Sequence, residues 1–206
     1  MRIFFHYCLP GFANCYILGS ESIPGEAIII DPGEMGADVL NSIEHNEYVL
    51  KGVLITHDHR GHVRGLRTLK RIYNAEIYAV NHIVMDCRTN VVRDGDLLDI
   101  GPFRIEVVSV PGHSSDSAVY KIGNWLFTGD AMTAGLVGTT ASSYGAAIQM
   151  TAIRSKLLSL PGDFVVFPGH GPPSTLEAER QFNAGIILYE QNRKKRPAFT
   201  LGILSE

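Results

Sequence analysis

The sequence predicts an α/β protein built as a four-layer α/β/β/α sandwich. Three observations lead there. Short apolar strand patterns alternate with amphipathic helix patterns, the second half of the chain repeats the grammar of the first, and several strands stop at turns carrying histidine or aspartate. Two similar halves, each a sheet with helices outside, bury their open sheet faces by stacking on each other. The chain has 206 residues, enough for one domain with a substantial core. Hydrophobic residues make up 45% and charged residues 19%, the balance of a compact globular protein, so residues 1–206 are read as a single domain.

Residues 13–18 and 27–30 are β-favouring apolar runs, the second ending at the turn Asp31-Pro32-Gly33. Residues 37–44 space Val39, Leu40 and Ile43 on one helical face. Residues 49–55 read as a buried strand that runs directly into Thr56-His57, 63–73 as a helix, and 75–80 as another strand. The grammar then repeats. Residues 103–110 form a strand that ends in Pro111-Gly112-His113, and 118–122 and 125–128 pair as a hairpin around Gly123-Asn124. Ile148, Ile153, Leu157 and Leu160 mark a helix stopped by Pro161-Gly162. A strand over 164–167 ends in Pro168-Gly169-His170, and 177–193 forms the final helix.

Composition excludes several functions. A formal net charge of −3 leaves no basic footprint for nucleic acid, and the run Arg193-Lys194-Lys195-Arg196 reads as a solvated tail. No stretch is long enough to span a membrane. The apolar start Met1-Arg2-Ile3-Phe4-Phe5 is broken by His6, Pro10, Gly11 and Asn14, so it is not read as a signal peptide. Cys8, Cys15 and Cys87 are an odd number without framework spacing and read as reduced thiols, which places the protein in the cytoplasm. The partner expected is a small-molecule substrate, and the oligomeric state is left open.

The chemistry concentrates in Leu54-Ile55-Thr56-His57-Asp58-His59-Arg60-Gly61-His62. In an extended segment the side chains at i and i+2 share a side, so His57 and His59 face one point, and a turn brings His62 round to a neighbouring one. Imidazole suits zinc or iron and binds when neutral. Three further candidates, His113, Asp130 and His170, sit at the tips of separate strands, each beside a glycine. Five of the eight histidines fall in these places; only His6, His45 and His82 lie elsewhere. Alone, a Pro-Gly-His is usually a turn. In this order, each after a strand, the set reads as a metal centre.

These motifs resemble the metallo-β-lactamase superfamily, and within it the glyoxalase II-like hydrolases. The likeness runs from Asn14-Cys15-Tyr16 and Ile30-Asp31-Pro32-Gly33 to His170, and is strongest over Val165-Val166-Phe167-Pro168-Gly169-His170-Gly171-Pro172-Pro173-Ser174-Thr175. The resemblance implies the same α/β/β/α sandwich with metals at one end between the sheets. It also implies that His57, His59 and His113 hold a first metal, that Asp130 bridges, and that His62 and His170 serve a second. Asp31 then stands either where the family has an aspartate supporting the ligands or simply as a turn residue before Pro32.

The chain departs from that family in three places. Its motif is His-x-His-x-Asp-His, and the aspartate position here is Gly61, which neither ligates a metal nor orients water. One zinc firmly bound and a weak second site are therefore expected. Asp58 lies between two ligands and points the opposite way in an extended segment. After Asp130, where short members carry Gly-Arg-Thr/Ser-Asp, this chain has Gly138-Thr139-Thr140-Ala141. Only ~35 residues follow His170, too few for the helical domain that holds glutathione in true glyoxalase II enzymes.

The expected function is a metallo-hydrolase whose metal-bound hydroxide attacks a thioester or related activated acyl group, with Asp130 as the catalytic residue orienting it. Ser114, Ser115 and Ser117 read as loop or cap residues rather than nucleophiles. Two alternatives stand beside this. One is a mononuclear-iron, persulfide dioxygenase-like oxidoreductase using His57, His113 and Asp130. The other is a catalytically weak metal-binding scaffold.

Overall fold

The computed structural model describes residues 1–195 and contains two six-stranded sheets. The first runs, in spatial order, Arg2–Cys8, Ala13–Gly19, Glu26–Ile30, Val49–Leu54, Glu76–Ala79 and Asn90–Val91. The second runs Ser174–Thr175, Val165–Pro168, Trp125–Gly129, Ala118–Ile122, Phe103–Ser109 and Leu97–Ile100. The hairpin around Gly123-Asn124 is present, with Ile122 opposite Trp125.

Period-two alternation sorts the core into three layers. Ile17, Ile29 and Val53 face α1 (Ala37–His45), α2 (Arg60–Val63) and α3 (Leu66–Ile72), packing with Ile43, Val63, Leu66 and Leu69. Their neighbours Leu18, Ile28 and Leu54 face the other sheet and meet Ile105, Val107, Tyr120 and Phe127. On the far side of the second sheet, Val119, Leu126 and Val166 pack with Met150, Ile153, Leu157, Leu176 and Ile186. Those residues come from α4 (Ser143–Ala152) and its π-helical continuation Ile153–Leu158, from α5 (Leu176–Phe182) and from α6 (Ala184–Lys195). The four-layer sandwich follows from these three apolar interfaces.

The structure corrects four readings of the sequence. Residues 2–8 form an edge strand, paired antiparallel from Arg2↔Gly19 to Cys8↔Ala13, and Pro10-Gly11 is its hairpin turn. Leu97–Ile100 is a second strand whose irregular apolar pattern concealed it. The helix expected over 63–73 is two, α2 and α3. The final helix is also two, because Asn183 takes an extended backbone (φ −65°, ψ 109°). Its amide nitrogen donates to the Leu136 carbonyl at 2.9 Å, and its side-chain oxygen accepts the Ile186 N–H at 3.1 Å, so it ends one helix and starts the next. The basic run from Arg193 to Arg196 begins within α6, and its side chains lie outside the described residues. No described helix is long and apolar enough to cross a membrane. All three cysteines are free.

Topology positions the centre. Glu26–Ile30 and Val49–Leu54 are parallel, as are Trp125–Gly129 and Val165–Pro168. Each pair delivers the residues after its strands to one edge of its sheet, where open α/β sheets bind ligands. The sheets are joined there by the Ala118 N–H donating to the Thr56 carbonyl at 2.8 Å and the Tyr120 hydroxyl to the Ile55 carbonyl at 2.9 Å.

Candidate metal centre

Every candidate from the sequence reaches this edge. His57 follows Val49–Leu54, His59 caps α2, His62 lies on it, and His113, Asp130 and His170 follow three strands of the second sheet. One ligand atom each from His57, His59, His113 and Asp130 lies within 4.8 Å of the others. The same holds for His62, Asp130 and His170, and for Asp31, His57 and His62. Asp130 Oδ2 is 3.7 Å from His57 Nε2 and 3.5 Å from both His62 Nε2 and His113 Nε2. His59 Nδ1 is 3.0 Å from His113 Nε2, and the His59 residue is exposed, which leaves this side of the centre open. Asp58 belongs to none of the three groups.

The hydrogen bonds behind the candidate ligands assign which ring nitrogen faces inward. The Thr56 hydroxyl donates to Asp31 Oδ2 at 2.6 Å, so its oxygen accepts the His57 Nδ1–H at 3.1 Å and His57 Nε2 keeps its lone pair. The Thr139 carbonyl, 2.8 Å away, accepts the His113 Nδ1–H. Asp31 Oδ2 accepts the His62 Nδ1–H at 2.9 Å, and Asp31 Oδ1 accepts the Thr56 backbone N–H at 2.8 Å. Asp31 therefore holds His62 and Thr56 in place and is not only a turn residue.

Sequence reasoning did not find Thr56, the Thr139 carbonyl or Asp116. Asp116 Oδ2 accepts the Asp58 backbone N–H at 2.8 Å and an Asn81 amide hydrogen at 3.0 Å, which pins the His57–His59 segment. An aspartate just before the strand Ala118–Ile122 was the one signal available. Ser114 and Ser117 bond each other at 2.7 Å, as loop residues do.

The two Pro-Gly-His turns need glycine for different reasons. Gly112 has φ +139°, a conformation L side chains rarely adopt. Gly169 is pressed by its neighbours: a Cβ there would stand 2.4 Å from Asp130 Oδ1 and 2.6 Å from His62 Cε1. Gly169→Ala is expected to displace Asp130 and weaken metal binding about tenfold or more. Metal retained at the wild-type level through dialysis would show that Asp130 does not depend on this packing.

Charge within the cluster fits a cation. His57 Nε2 and His62 Nε2 are buried without a hydrogen-bond partner, and buried polar atoms are rarely left so. Burial pushes His57 down to about 3, with His62 adding to the effect, so it is a neutral donor. Burial also presses His62 down, but Asp130 and Asp31 outweigh it and raise it to about 10. Burial alone would raise the Asp130 carboxyl, yet His170 and His62 hold it well below the usual carboxylate range. Asp130 in turn raises His170, against its burial. Protons thus supply the positive charge that a divalent ion bound among these donors would displace. Three neutral imidazoles and one carboxylate are a donor set for zinc, and two imidazoles with a carboxylate one for iron.

Comparisons with known proteins bear on the fold and the family. The hydroxyacylglutathione hydrolase of Hahella chejuensis is 31% identical over 167 residues, covering 79% of this chain and 63% of that protein. That of Klebsiella pneumoniae subsp. pneumoniae is 33% identical over 163 residues, covering 79% and 64%. The chain thus spans less than two thirds of the length of these relatives. The crystal structure of ETHE1 from Myxococcus xanthus superposes with a TM-score of 0.82 at 25% identity, over 96% of this chain and 93% of that one. Residues 8–170 match the family described as the metallo-beta-lactamase superfamily. With its sandwich fold and the histidine and aspartate cluster at the strand ends, the chain belongs to the metallo-beta-lactamase superfamily.

Proposed function

We infer that the protein is a metal-dependent hydrolase acting on a thioester or related activated acyl substrate. The observation that carries this is the convergence of His57, His59, His113 and Asp130 on one point beside an open face. These four would hold one zinc firmly, while His62, His170 and a share of Asp130 would hold a second ion weakly, because Gly61 contributes no donor. A divalent ion so held acts as a Lewis acid on the carbonyl and lowers the pKa of a bound water from 15.7 to about 7.

The chain's own groups do the rest. Asp130 faces three imidazole nitrogens through Oδ2 and His170 through Oδ1, so its carboxylate orients a water among them and passes a proton toward the leaving group. Thr56, Asp31 and the Thr139 carbonyl fix the rings so that no reorganisation is needed as charge develops. The carboxylate missing at 61 costs on the order of 10² in rate, which makes this a slow hydrolase or one for a reactive substrate.

Protein expressed without added metal and dialysed extensively is expected to retain one equivalent of zinc per chain and to cleave a generic thioester. Two retained equivalents would refute the weak second site. Iron with oxygen consumption on a persulfide would replace the hydrolase reading by the redox one, and turnover of no substrate would leave a scaffold.

A further inference from the structure

Gly61 and the turn opposite it form one unit. A Cβ on Gly61 would stand 3.4 Å from the Gly11 carbonyl oxygen, 3.5 Å from Gly11 Cα and 3.7 Å from Ala13 Cβ. Those are ordinary packing distances, so a methyl group fits, with the Gly11 carbonyl oxygen as its nearest neighbour. In the reverse direction there is no room: a Cβ on Gly11 would stand 2.5 Å from Gly61 Cα, and one on Gly33 2.1 Å from the Gly61 carbonyl oxygen.

The same Gly11 carbonyl accepts the His170 Nε2–H at 3.3 Å, while Nδ1 of that ring meets Asp130 Oδ1 at 2.7 Å. The turn is tied to the segment carrying His170. The Asn14 N–H donates to the Gly169 carbonyl at 2.7 Å, and the Asn14 amide nitrogen donates to the carbonyls of Pro168 at 2.9 Å and Gly171 at 2.8 Å. His113 has the Thr139 carbonyl behind it and His62 has Asp31. For His170 the corresponding group is Gly11.

We propose that the Gly11 carbonyl is the positioning group for His170 and stands in the volume a longer side chain at 61 would enter, so that Gly11 and Gly61 work as a pair. This rests on the metal-centre reading above. Metal-binding imidazoles are oriented by an acceptor for their second ring nitrogen, and loss of such an acceptor commonly costs 10–100-fold in metal affinity. The glycine at 61 is then more than a lost ligand. A carboxylate placed there meets the electronegative Gly11 oxygen, pushes the turn away and releases His170, so it does not restore a second strong site.

The test is a cobalt(II) titration of metal-free wild type, Gly11→Ala, Gly61→Ala and Gly61→Asp, followed by the visible d–d absorption and by equilibrium dialysis. All four are expected to take the first equivalent with the same spectrum. Gly61→Ala should bind the second like wild type, and Gly11→Ala about tenfold or more weaker. Gly61→Asp should gain no tight second equivalent. The His170 ring ¹⁵N shifts should move in Gly11→Ala while those of His113 stay. A second equivalent bound by Gly11→Ala as in wild type, or a tight one gained by Gly61→Asp, overturns the proposal. If Gly11→Ala does not fold, the two Gly61 variants decide it. Failure of wild type to bind the first equivalent would instead overturn the metal-centre reading, a distinguishable result.

Discussion

Asp130→Ala is expected to leave a folded protein that has lost its metal and at least about 10³ of its kcat/KM on a thioester, since ligand and water-orienting group disappear together and either alone is worth roughly 10². The argument is geometric. Asp130 belongs to both halves of the centre, Oδ2 facing His57, His62 and His113 and Oδ1 facing His170. Without it, the only carboxylate left among the three groups is Asp31, which is already engaged by His62 and Thr56 behind the imidazoles. Asp130→Asn separates shape from charge, because it keeps the volume and loses the carboxylate. The carboxyl is held below its ordinary range, so its contribution to stability is present above the ordinary carboxylate pKa and is lost only as pH falls through the depressed value. The comparison therefore belongs at neutral pH, by elemental analysis and steady-state kinetics. Either variant keeping stoichiometric metal and activity within tenfold of wild type would remove Asp130 from the role given to it.

The fold and the convergence of the candidate side chains were legible for one reason: both depend on local patterns. Ile28-Ile29-Ile30 and Val53-Leu54-Ile55 are apolar without interruption because both faces of their sheet are covered, by helices on one side and a second sheet on the other. The candidate cluster was legible because His57, His113, Asp130 and His170 come shortly after strands and His59 and His62 follow His57 at close spacing. What escaped was set by distant parts of the chain. Arg2–Cys8 is an edge strand with a mixed exposure pattern, and nothing within it announces that it pairs with Ala13–Gly19. The acceptors for His113 and His170 are backbone carbonyls of Thr139 and Gly11, which any residue type supplies, so composition carries no trace of them. Asp116 acts 58 positions from the N–H it accepts. The glycine at 61 was visible, but its meaning depends on Gly11 and Gly33 lying against it.

Asp31→Ala should destabilise metal-free protein by roughly 3–5 kcal/mol, the usual cost of removing one partner from a buried charged pair, which for a chain of this size lowers Tm by about 10 °C. Asp31 and His62 are 2% and 1% exposed, so water does not replace what is lost. Three donors are orphaned at once: the Thr56 N–H, the Thr56 hydroxyl and His62 Nδ1–H. The pH dependence identifies the cause. His62 is raised from 6.5 to about 10, with burial opposed by Asp130 and Asp31, so the stability it brings is complete below about 6.5 and disappears as pH climbs through about 10. The gap between wild type and Asp31→Ala should accordingly narrow over that alkaline range, while loss of the Thr56 bonds persists throughout. Calorimetry of the metal-free proteins from pH 6 to 10.5 measures both parts. A gap under about 1 kcal/mol, or one that widens with rising pH, would mean that Asp31 does not hold His62 as an ion pair. The way His62 is aimed at Asp130 would then need another explanation.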